Sequence, residues 1–279
     1  MYKLGLSTQS GENLTEEYFK SLAEAGIKAT EISVNDNLCR TLDYEKIKEW
    51  ADKWEIELWS FHLPFWPFDK IDISAPSLAS DTVKYLSTYI EKASKIGIRN
   101  FIIHASGEPI ENSDRPVRMQ TAKNSLKALA TFAEEKGARI LVENLPRTCL
   151  GKNSSEIIEL ISVHPALEAC FDTNHLLGEN YVNFIHVLGK NIKSTHISDY
   201  DFKDERHWLP GEGEIDWQRL ITALDEVGYY GPWLYEIDYK APWTITRERD
   251  LVPKDFKANA DNLFSGNKPV KLGIPKENL

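Results

Sequence analysis

Short apolar runs alternate with longer amphipathic stretches along most of the chain, a pattern typical of βα units built around a parallel sheet. The apolar runs predict eight strands, over Lys3–Ser7, Lys28–Ser33, Glu57–His62, Asn100–His104, Arg139–Glu143, Glu168–Asp172, Ile192–Ile197 and Trp233–Ile237. The amphipathic stretches predict helices over Leu14–Ala25, Tyr44–Trp54, Ser80–Ile96, Val117–Lys136, Ser154–Val163, Tyr181–Leu188, Trp217–Val227 and Arg249–Phe264. Strands that are each followed by a helix predict an α/β fold, a single (β/α)8 TIM barrel over residues 1–264, with residues 265–279 as an exposed C-terminal tail.

Glycine placement supports this architecture. A glycine follows five of the predicted helices and precedes the next strand, where a left-handed C-cap is favoured. These residues are Gly26, Gly97, Gly137, Gly189 and Gly228. An open, doubly wound sheet is the alternative, but neither a Gly-x-Gly-x-x-Gly turn after the first strand nor a Gly-Lys-Ser phosphate loop is found in the sequence.

Composition narrows the class of protein. The 279 residues are 42% hydrophobic and 27% charged, as in an ordinary globular protein. The net charge of −10 counts against a general nucleic-acid binder. Cys39, Cys149 and Cys170 lack metal-site spacing, which predicts reduced thiols. No signal peptide or membrane span is recognisable, so we expect a cytoplasmic protein with no membrane partner.

Candidate chemistry lies at the ends of the predicted strands. Active sites of (β/α)8 barrels lie at the C-terminal mouth, so these strand-end residues are expected to converge. Seven of the predicted strands have an acid or an imidazole at their end or within two residues of it: Glu31, His62, His104, Glu143, Asp172, His196 and Glu236. So many carboxylates at one mouth would leave uncompensated negative charge, and a divalent cation is the natural counter-charge. The pattern therefore predicts a metal site.

Five short strings occur at these strand ends and in the loops that follow them. They are Val-Glu-Asn at 142–144, Phe-Asp-Thr-Asn-His at 171–175, His-Ile-Ser-Asp at 196–199, Pro-Gly-Glu-Gly-Glu-Ile-Asp-Trp at 210–217 and Tyr-Glu-Ile at 235–237. In this order they resemble the xylose isomerase-like TIM barrel superfamily of sugar isomerases, 3-epimerases, dehydratases and endonuclease IV. The resemblance covers roughly residues 1–264.

The resemblance implies a metal site formed by Glu143, Asp172, His196 and Glu236. Three carboxylates and one imidazole form a mostly hard-oxygen set, which suits Mn²⁺ or Mg²⁺, with Zn²⁺ and Co²⁺ as alternatives. Glu31 is expected to orient a ligand histidine rather than to bind the metal.

Further residues have two readings under the same resemblance. Either a second metal or the substrate is implied for His62, His104, His175, Glu205 and His207. Glu205 stands where endonuclease IV has an aspartate. Substrate contacts are expected from Arg206, Trp66 and Trp208, while Arg115, Arg118, Arg147 and Arg206 are candidate anion contacts.

The function that the resemblance implies is a divalent-metal-dependent isomerase or epimerase of a sugar or sugar derivative. Glu143 and Glu236 would transfer protons to and from carbon through a metal-stabilised cis-enediolate. A keto-sugar lyase or dehydratase could use the same site, and an endonuclease IV-like phosphodiester hydrolase is a further alternative that the acidic charge opposes. The expected partner is a small sugar, nucleic acid is not expected, and relatives are often homo-oligomers.

Overall fold

The computed structural model describes residues 2–8 and 13–277. Within these ranges the main sheet contains eight parallel strands. They are β1 (Leu4–Ser7), β2 (Ala29–Ile32), β3 (Glu57–His62), β4 (Asn100–His104), β5 (Arg139–Glu143), β6 (Leu167–Asp172), β7 (Ile192–His196) and β8 (Trp233–Tyr235). The predicted (β/α)8 barrel is confirmed.

The strands are arranged in chain order around the barrel. Neighbours follow the order β7-β6-β5-β4-β3-β2-β1-β8, so β1 pairs with both β2 and β8. The remaining seam is closed by a parallel bridge between Ile197 and Tyr235, just beyond the end of β7. The amide of Ile197 donates to the carbonyl of Leu234 at 2.8 Å, and that of Glu236 donates to Ile197 at 3.2 Å.

Helices cover the outside of the barrel. They are α1 (Glu16–Ala25), α2 (Asp36–Thr41), α3 (Tyr44–Lys53), α4 (Ala79–Lys95), α5 (Arg115–Glu134), α6 (Ser154–Ile161), α7 (Tyr181–Leu188), α8 (Trp217–Glu226) and α9 (Pro253–Phe264). Their apolar faces pack on the outer faces of the strands and form the main core. The five glycines expected after helices all have positive φ, between 52° and 95°.

The inside of the barrel is arranged in layers, because successive residues of a strand point to opposite faces. A small buried cluster of Ile102, Leu141 and Cys170, from β4, β5 and β6, is separate from the main core. Two residues further along the same strands come His104, Glu143 and Asp172. The apolar layer therefore forms the floor beneath the strand-end acids and imidazoles.

Two local features differ from the predicted elements. The short helix α2 lies in the loop after β2, where no helix was predicted. The segment after α9 is largely exposed, yet its strand β10 (Gly273–Pro275) pairs antiparallel with β9 (Ile245–Arg247) in the loop after β8. The last residues of the predicted tail, 278 and 279, lie outside the described residues.

All three cysteines are buried and none is in a disulfide. Across the described ranges, each helix is too short or too polar to traverse a lipid bilayer.

Candidate metal centre and active site

Four side chains at the C-terminal ends of β5 to β8 form what we call the carboxylate–imidazole cluster. Its members are Glu143, Asp172, His196 and Glu236. One potential ligand atom from each lies within 4.8 Å of the others, and all four residues are buried. The strand register accounts for half of this geometry, since it pairs Asp172 with His196 across β6 and β7. Glu236 immediately follows β8 and reaches the cluster across the seam.

His196 is the centre of the cluster. Its Nδ1 lies 3.1 Å from Oε1 of Glu143, 3.2 Å from Oε2 of Glu236 and 3.8 Å from Oδ2 of Asp172. A single ring nitrogen can donate only one strong hydrogen bond, so these three carboxylates surround it without each being satisfied by it. A cation among the four groups would satisfy all of them.

Asp172 provides an independent indication of a cation. Its Oδ1 accepts a 2.6 Å hydrogen bond from the amide of Asn174, whereas its buried Oδ2 has no hydrogen-bond partner among the described residues. A buried carboxylate oxygen without a partner is costly. The residues present therefore fit a divalent metal ion.

Glu31 contacts the opposite side of His196. Its carboxylate lies 3.1 Å from Nε2 of that ring and accepts hydrogen bonds from Ser7 at 3.2 Å and Ser60 at 2.7 Å. A carboxylate on the far nitrogen of a ligand histidine fixes the tautomer and the ring orientation. Glu31 is thus placed to orient His196, with Nδ1 facing the cluster.

A second group of candidate ligands shares Glu143. Nε2 of His62 lies 3.1 Å, and Nε2 of His104 3.2 Å, from Oε2 of Glu143. Phe65 stacks on His104 with ring centroids 4.1 Å apart. His62, His104 and Glu143 are close enough together to hold an ion of their own.

A third group, His175, Glu205 and His207, lies in the loops after β6 and β7. Nε2 of His175 is 2.9 Å from one oxygen of Glu205, and the guanidinium of Arg147 is 2.7 Å from the other. His207 is held through Nδ1, 3.2 Å from the carbonyl of Glu236. Both oxygens of Glu205 therefore face cationic or donor groups of the chain itself.

The protonation of the cluster reflects crowding of like charges. Although burial opposes ionisation, His196 and His104 hold the pKa of Glu143 well below its usual range. Burial raises the pKa of Asp172 well above its usual range, and the charges of Glu236 and Glu143 raise it further, against the effect of His175. The crowding of negative charge therefore favours protonation of Asp172 over that of Glu143 when no cation compensates them.

Neighbouring groups also shift away from their ordinary values. Burial opposes protonation of His175, yet Asp172, Glu205 and Glu143 raise its pKa to about 10. His175 and Arg147 overcome burial and lower the pKa of Glu205 to about 2. Within the third group, His175 and Glu205 are consequently ion-paired with each other at neutral pH, and Glu205 is also paired with Arg147.

Two cavities open beside these groups. The larger, of about 760 Å³, is lined by residues of the loops after β2 and β3, including His62 and Trp66. The smaller, of about 210 Å³, is lined by His207, Glu236 and Trp243, among others. The larger cavity reaches His62, which contacts Glu143, and the smaller reaches Glu236, a member of the cluster.

The aromatic walls are only partly those expected. Trp66 is 62% exposed and lines the larger cavity. Trp208 is only 2% exposed, and its indole N–H donates to the hydroxyl of Thr244 at 2.9 Å. The exposed indole on that side is Trp243, at 74%, which the sequence reasoning did not single out. The only sequence signal for it is a tryptophan soon after the last strand-end acid.

The candidate anion contacts are all occupied by carboxylates of the chain. Arg206 donates to Asp201 at 3.0 and 3.1 Å while still lining the smaller cavity. The remaining pairs are Arg115 with Glu156, Arg118 with Asp72, and Arg147 with Glu108, Asp204 and Glu205. None of these arginines is left as a ready-made phosphate contact.

A family profile described as Xylose isomerase-like TIM barrel matches residues 19–257. The matched range is most of the chain and contains the whole carboxylate–imidazole cluster. The chain therefore belongs to this family.

Named relatives are sugar epimerases and a dehydratase. An inosose dehydratase of Clostridium beijerinckii is 23% identical, over 81% of this chain and 83% of that protein. Among solved structures, a D-tagatose 3-epimerase-like protein has a TM-score of 0.74 at 23% identity, covering 85% of this chain and 90% of the other. A 3-keto-D-glucoside 4-epimerase from Escherichia coli has a TM-score of 0.76 at 17% identity, covering 95% of this chain and 100% of the other. At such identities, the structural matches establish the fold.

Proposed function

We propose that this protein is a divalent-metal-dependent epimerase or isomerase of a small sugar or sugar derivative. The carboxylate–imidazole cluster carries the proposal, because four ligand atoms meet within 4.8 Å and the buried Oδ2 of Asp172 accepts no hydrogen bond from the part of the chain that the structure describes. The similarity to sugar epimerases supports the choice of substrate class.

Glu143, Asp172, His196 and Glu236 would hold the metal, with Mn²⁺ or Mg²⁺ preferred for a set of three carboxylates and one imidazole. When bound, a divalent cation supplies fixed positive charge for the negative charge that develops on neighbouring sugar oxygens as a C–H proton leaves. Glu31 holds the His196 ring so that Nδ1 stays directed at the cluster.

Glu143 and Glu236 are proposed to carry the proton. They extend from β5 and from the residue after β8, and both approach the same nitrogen of His196, at 3.1 and 3.2 Å. Carboxylates arriving from different strands can address different faces of a sugar carbon. One removes the proton to give a cis-enediolate of the sugar, and the other returns a proton, which inverts the centre or moves the carbonyl to the neighbouring carbon.

The flanking histidines and the loop group are proposed to bind substrate oxygens. Nε2 of His62 donates to Oε2 of Glu143, and Nε2 of His104 lies 3.2 Å from the same oxygen. Trp66 lines the larger cavity together with His62. In the third group, Glu205 is already shared between His175 and Arg147, which favours a polar substrate contact over another metal. Arg206 and His207 border the smaller cavity next to Glu236.

A lyase or dehydratase is the second candidate function. It is favoured by the relative named inosose dehydratase and by His207, which lies beside Glu236 and could protonate a departing oxygen. Loss of a β-oxygen from the same enediolate would give this outcome. The nuclease alternative has three candidate ligand groups in its favour, but the net charge of −10 and the Glu205–Arg147 pair count against it.

Exchange of a substrate C–H proton with deuterated water tests the proposal, using a panel of ketoses and ketose derivatives with Mn²⁺. We expect Glu143→Gln and Glu236→Gln each to slow exchange by at least about 100-fold, the contribution of a general acid or base. Glu226→Gln is the matched control, because this exposed carboxylate is paired with His186 on the surface. Exchange at the parent rate in Glu143→Gln, or in protein shown to be free of metal, would refute the assignment.

Metal counting and product analysis separate the alternatives. One bound metal per chain with an epimeric or isomeric product supports the first function, whereas elimination of water or of an aglycone supports the second. Three metals per chain together with cleavage of abasic DNA would overturn both in favour of a nuclease.

A further inference from the structure

A third cavity, of about 210 Å³, opens at the N-terminal end of the barrel. It is lined by residues at the starts of β3, β4 and β5, together with Gly97, Lys193 and Tyr230. Arg139 begins β5 and Glu143 ends it. At about 3.3 Å per residue, the length of this strand separates the cavity from the metal centre by about 13 Å.

The cavity is positively charged within an acidic protein. Three cations line it: Arg99, Arg139 and Lys193. Arg139 and Lys193 share one carboxylate, Glu168, at 2.7 and 3.2 Å. Glu57, also in the lining, is paired with Lys3 at 2.5 Å. Three lining cations thus face one partner carboxylate, an excess of two positive charges in a chain whose net charge is −10.

The cations are held in place before any ligand arrives. Nη1 of Arg99 donates to the backbone carbonyls of Ser94 at 2.7 Å and Ile98 at 2.9 Å, and within residues 2–8 and 13–277 no carboxylate forms an ion pair with it. Arg139 uses Nη1 for Glu168, and Lys193 lies 5.2 Å from the centre of the Tyr230 ring. Guanidinium groups that are held in place and still have N–H groups available to donate form a rigid binding site for an anion.

We propose that this cavity binds a phosphate group, as inorganic phosphate or as a phosphate monoester, independently of the metal centre. A phosphate dianion matches the excess of two charges, and its oxygens can accept from two guanidinium groups and one ammonium at once. A carboxylate carries only half of that charge. The exposed ring of Tyr230 borders the cavity and would contact the remainder of an ester.

Titration calorimetry of the metal-loaded protein tests the site, with inorganic phosphate and a sugar monophosphate as separate probes at constant ionic strength. We expect one saturable site per chain and at least about tenfold weaker binding in Arg139→Gln, which loses a charge-assisted contact. Glu168→Gln should bind phosphate more tightly, because it removes the carboxylate that competes for Arg139 and Lys193. Tighter binding of the monophosphate than of inorganic phosphate would identify an ester as the ligand.

Arg249→Gln is the matched control, since Arg249 also pairs with one carboxylate, Asp255, but lies away from the cavity. Its affinity should equal that of the parent. If Arg139→Gln does not fold, Arg99→Gln replaces it and should also weaken binding. No saturable binding, unchanged affinity in the arginine variant, or loss of binding in Glu143→Gln with retention in Arg139→Gln would overturn the proposal.

Discussion

The two ends of the barrel carry opposite chemistry on the same strands. β5 begins with Arg139, whose side chain is 42% exposed, and ends with Glu143, whose side chain is 1% exposed. β7 likewise carries Lys193 near its start and His196 at its end. The N-terminal end keeps its charges in contact with water, and Arg139 and Lys193 there share an ordinary ion pair with Glu168. The C-terminal end buries carboxylates around one imidazole, which an added cation would compensate.

This contrast shows why burial, rather than residue type, separates a stabilising ion pair from a functional centre. Glu168 and Asp172 both lie on β6, four residues apart. Glu168 is paired with Arg139 and Lys193, whereas Asp172 retains a buried oxygen that accepts no hydrogen bond from any described residue. Desolvated charge of this kind is characteristic of sites that act on something other than the chain itself.

The largest expected effect comes from replacing the two acids of β6, one at a time, by their amides. Loss of a residue that only orients a metal ligand typically weakens metal binding by about 10- to 100-fold. Asp172→Asn should weaken Mn²⁺ binding by more than this, because it removes a ligand itself. Calorimetric titration of Mn²⁺ measures this, with Glu168→Gln as the control that keeps the parent affinity. An equal loss of Mn²⁺ affinity in both variants would show that Asp172 is no more important for metal binding than Glu168.

Asp172→Asn also has a predicted sign for stability. Because the pKa of Asp172 is raised in the folded protein, its ionised form opposes folding at neutral pH, and stability of the metal-free protein rises as pH falls through that pKa. The amide should therefore raise the thermal midpoint of the metal-free protein while abolishing the further rise that Mn²⁺ produces in the parent.

Removing the layer between the two ends should cost stability. Leu141→Ala empties part of the buried cluster with Ile102 and Cys170, so we expect the free energy of unfolding to fall by about 2–5 kcal/mol in urea titrations. Val270→Ala, at a position that is 67% exposed, should change it by about 0.5 kcal/mol or less. A small effect at Leu141 would mean that the floor is not tightly packed.

A smaller effect is expected from Glu31, which contacts the metal centre only through His196. Glu31→Gln should weaken Mn²⁺ binding by about 10- to 100-fold, as for the loss of a carboxylate that orients a ligand histidine. Glu57→Gln, at the exposed start of β3, is the control and should have parent affinity. Unchanged binding in Glu31→Gln would show that packing alone orients the ring.

The smallest effect concerns the exposed aromatic residues of the two ends. Trp243→Ala should raise KM by about three- to tenfold with little change in kcat, because a ring contact contributes about 0.5–1.5 kcal/mol beyond buried area. Tyr230→Ala at the opposite end should leave KM unchanged. Steady-state kinetics with any ketose found to be a substrate measure KM for both variants. A change in KM in Tyr230→Ala alone would indicate that the substrate binds at the N-terminal end of the barrel.

The strands were predictable because parallel, buried strands are continuous apolar runs with sharp ends. β3, β4 and β5 begin and end at the predicted residues, and the glycines after the helices have the expected positive φ. The prediction extends β8 by two residues, Glu236 and Ile237, which lie beyond the strand. At that point the backbone leaves the sheet after the bridge with Ile197, and an apolar pattern does not reveal where pairing stops.

The C-terminal ends of the strands of a barrel converge, so the convergence of the four cluster residues could be predicted from their positions at the ends of predicted strands. Contacts made by loops could not be obtained in this way. The Arg147–Glu205 pair joins the loops after β5 and β7, and Trp208 is buried and donates to Thr244 in the loop after β8, whereas Trp243 is exposed. Such contacts depend on loop conformations, which have no periodic signal in sequence.

The pairing of β9 with β10 has a practical consequence for how this protein is handled. Thr244 joins the C-terminal segment to the mouth: its carbonyl accepts from the amide of Lys276 at 3.0 Å and its hydroxyl from Trp208 at 2.9 Å. Shortening the chain to residue 264 would leave every metal ligand in place but release one edge of the substrate entrance. If a truncated variant had an altered sugar preference, we would attribute the change to loss of the β9–β10 pairing and not to a change in the metal ligands.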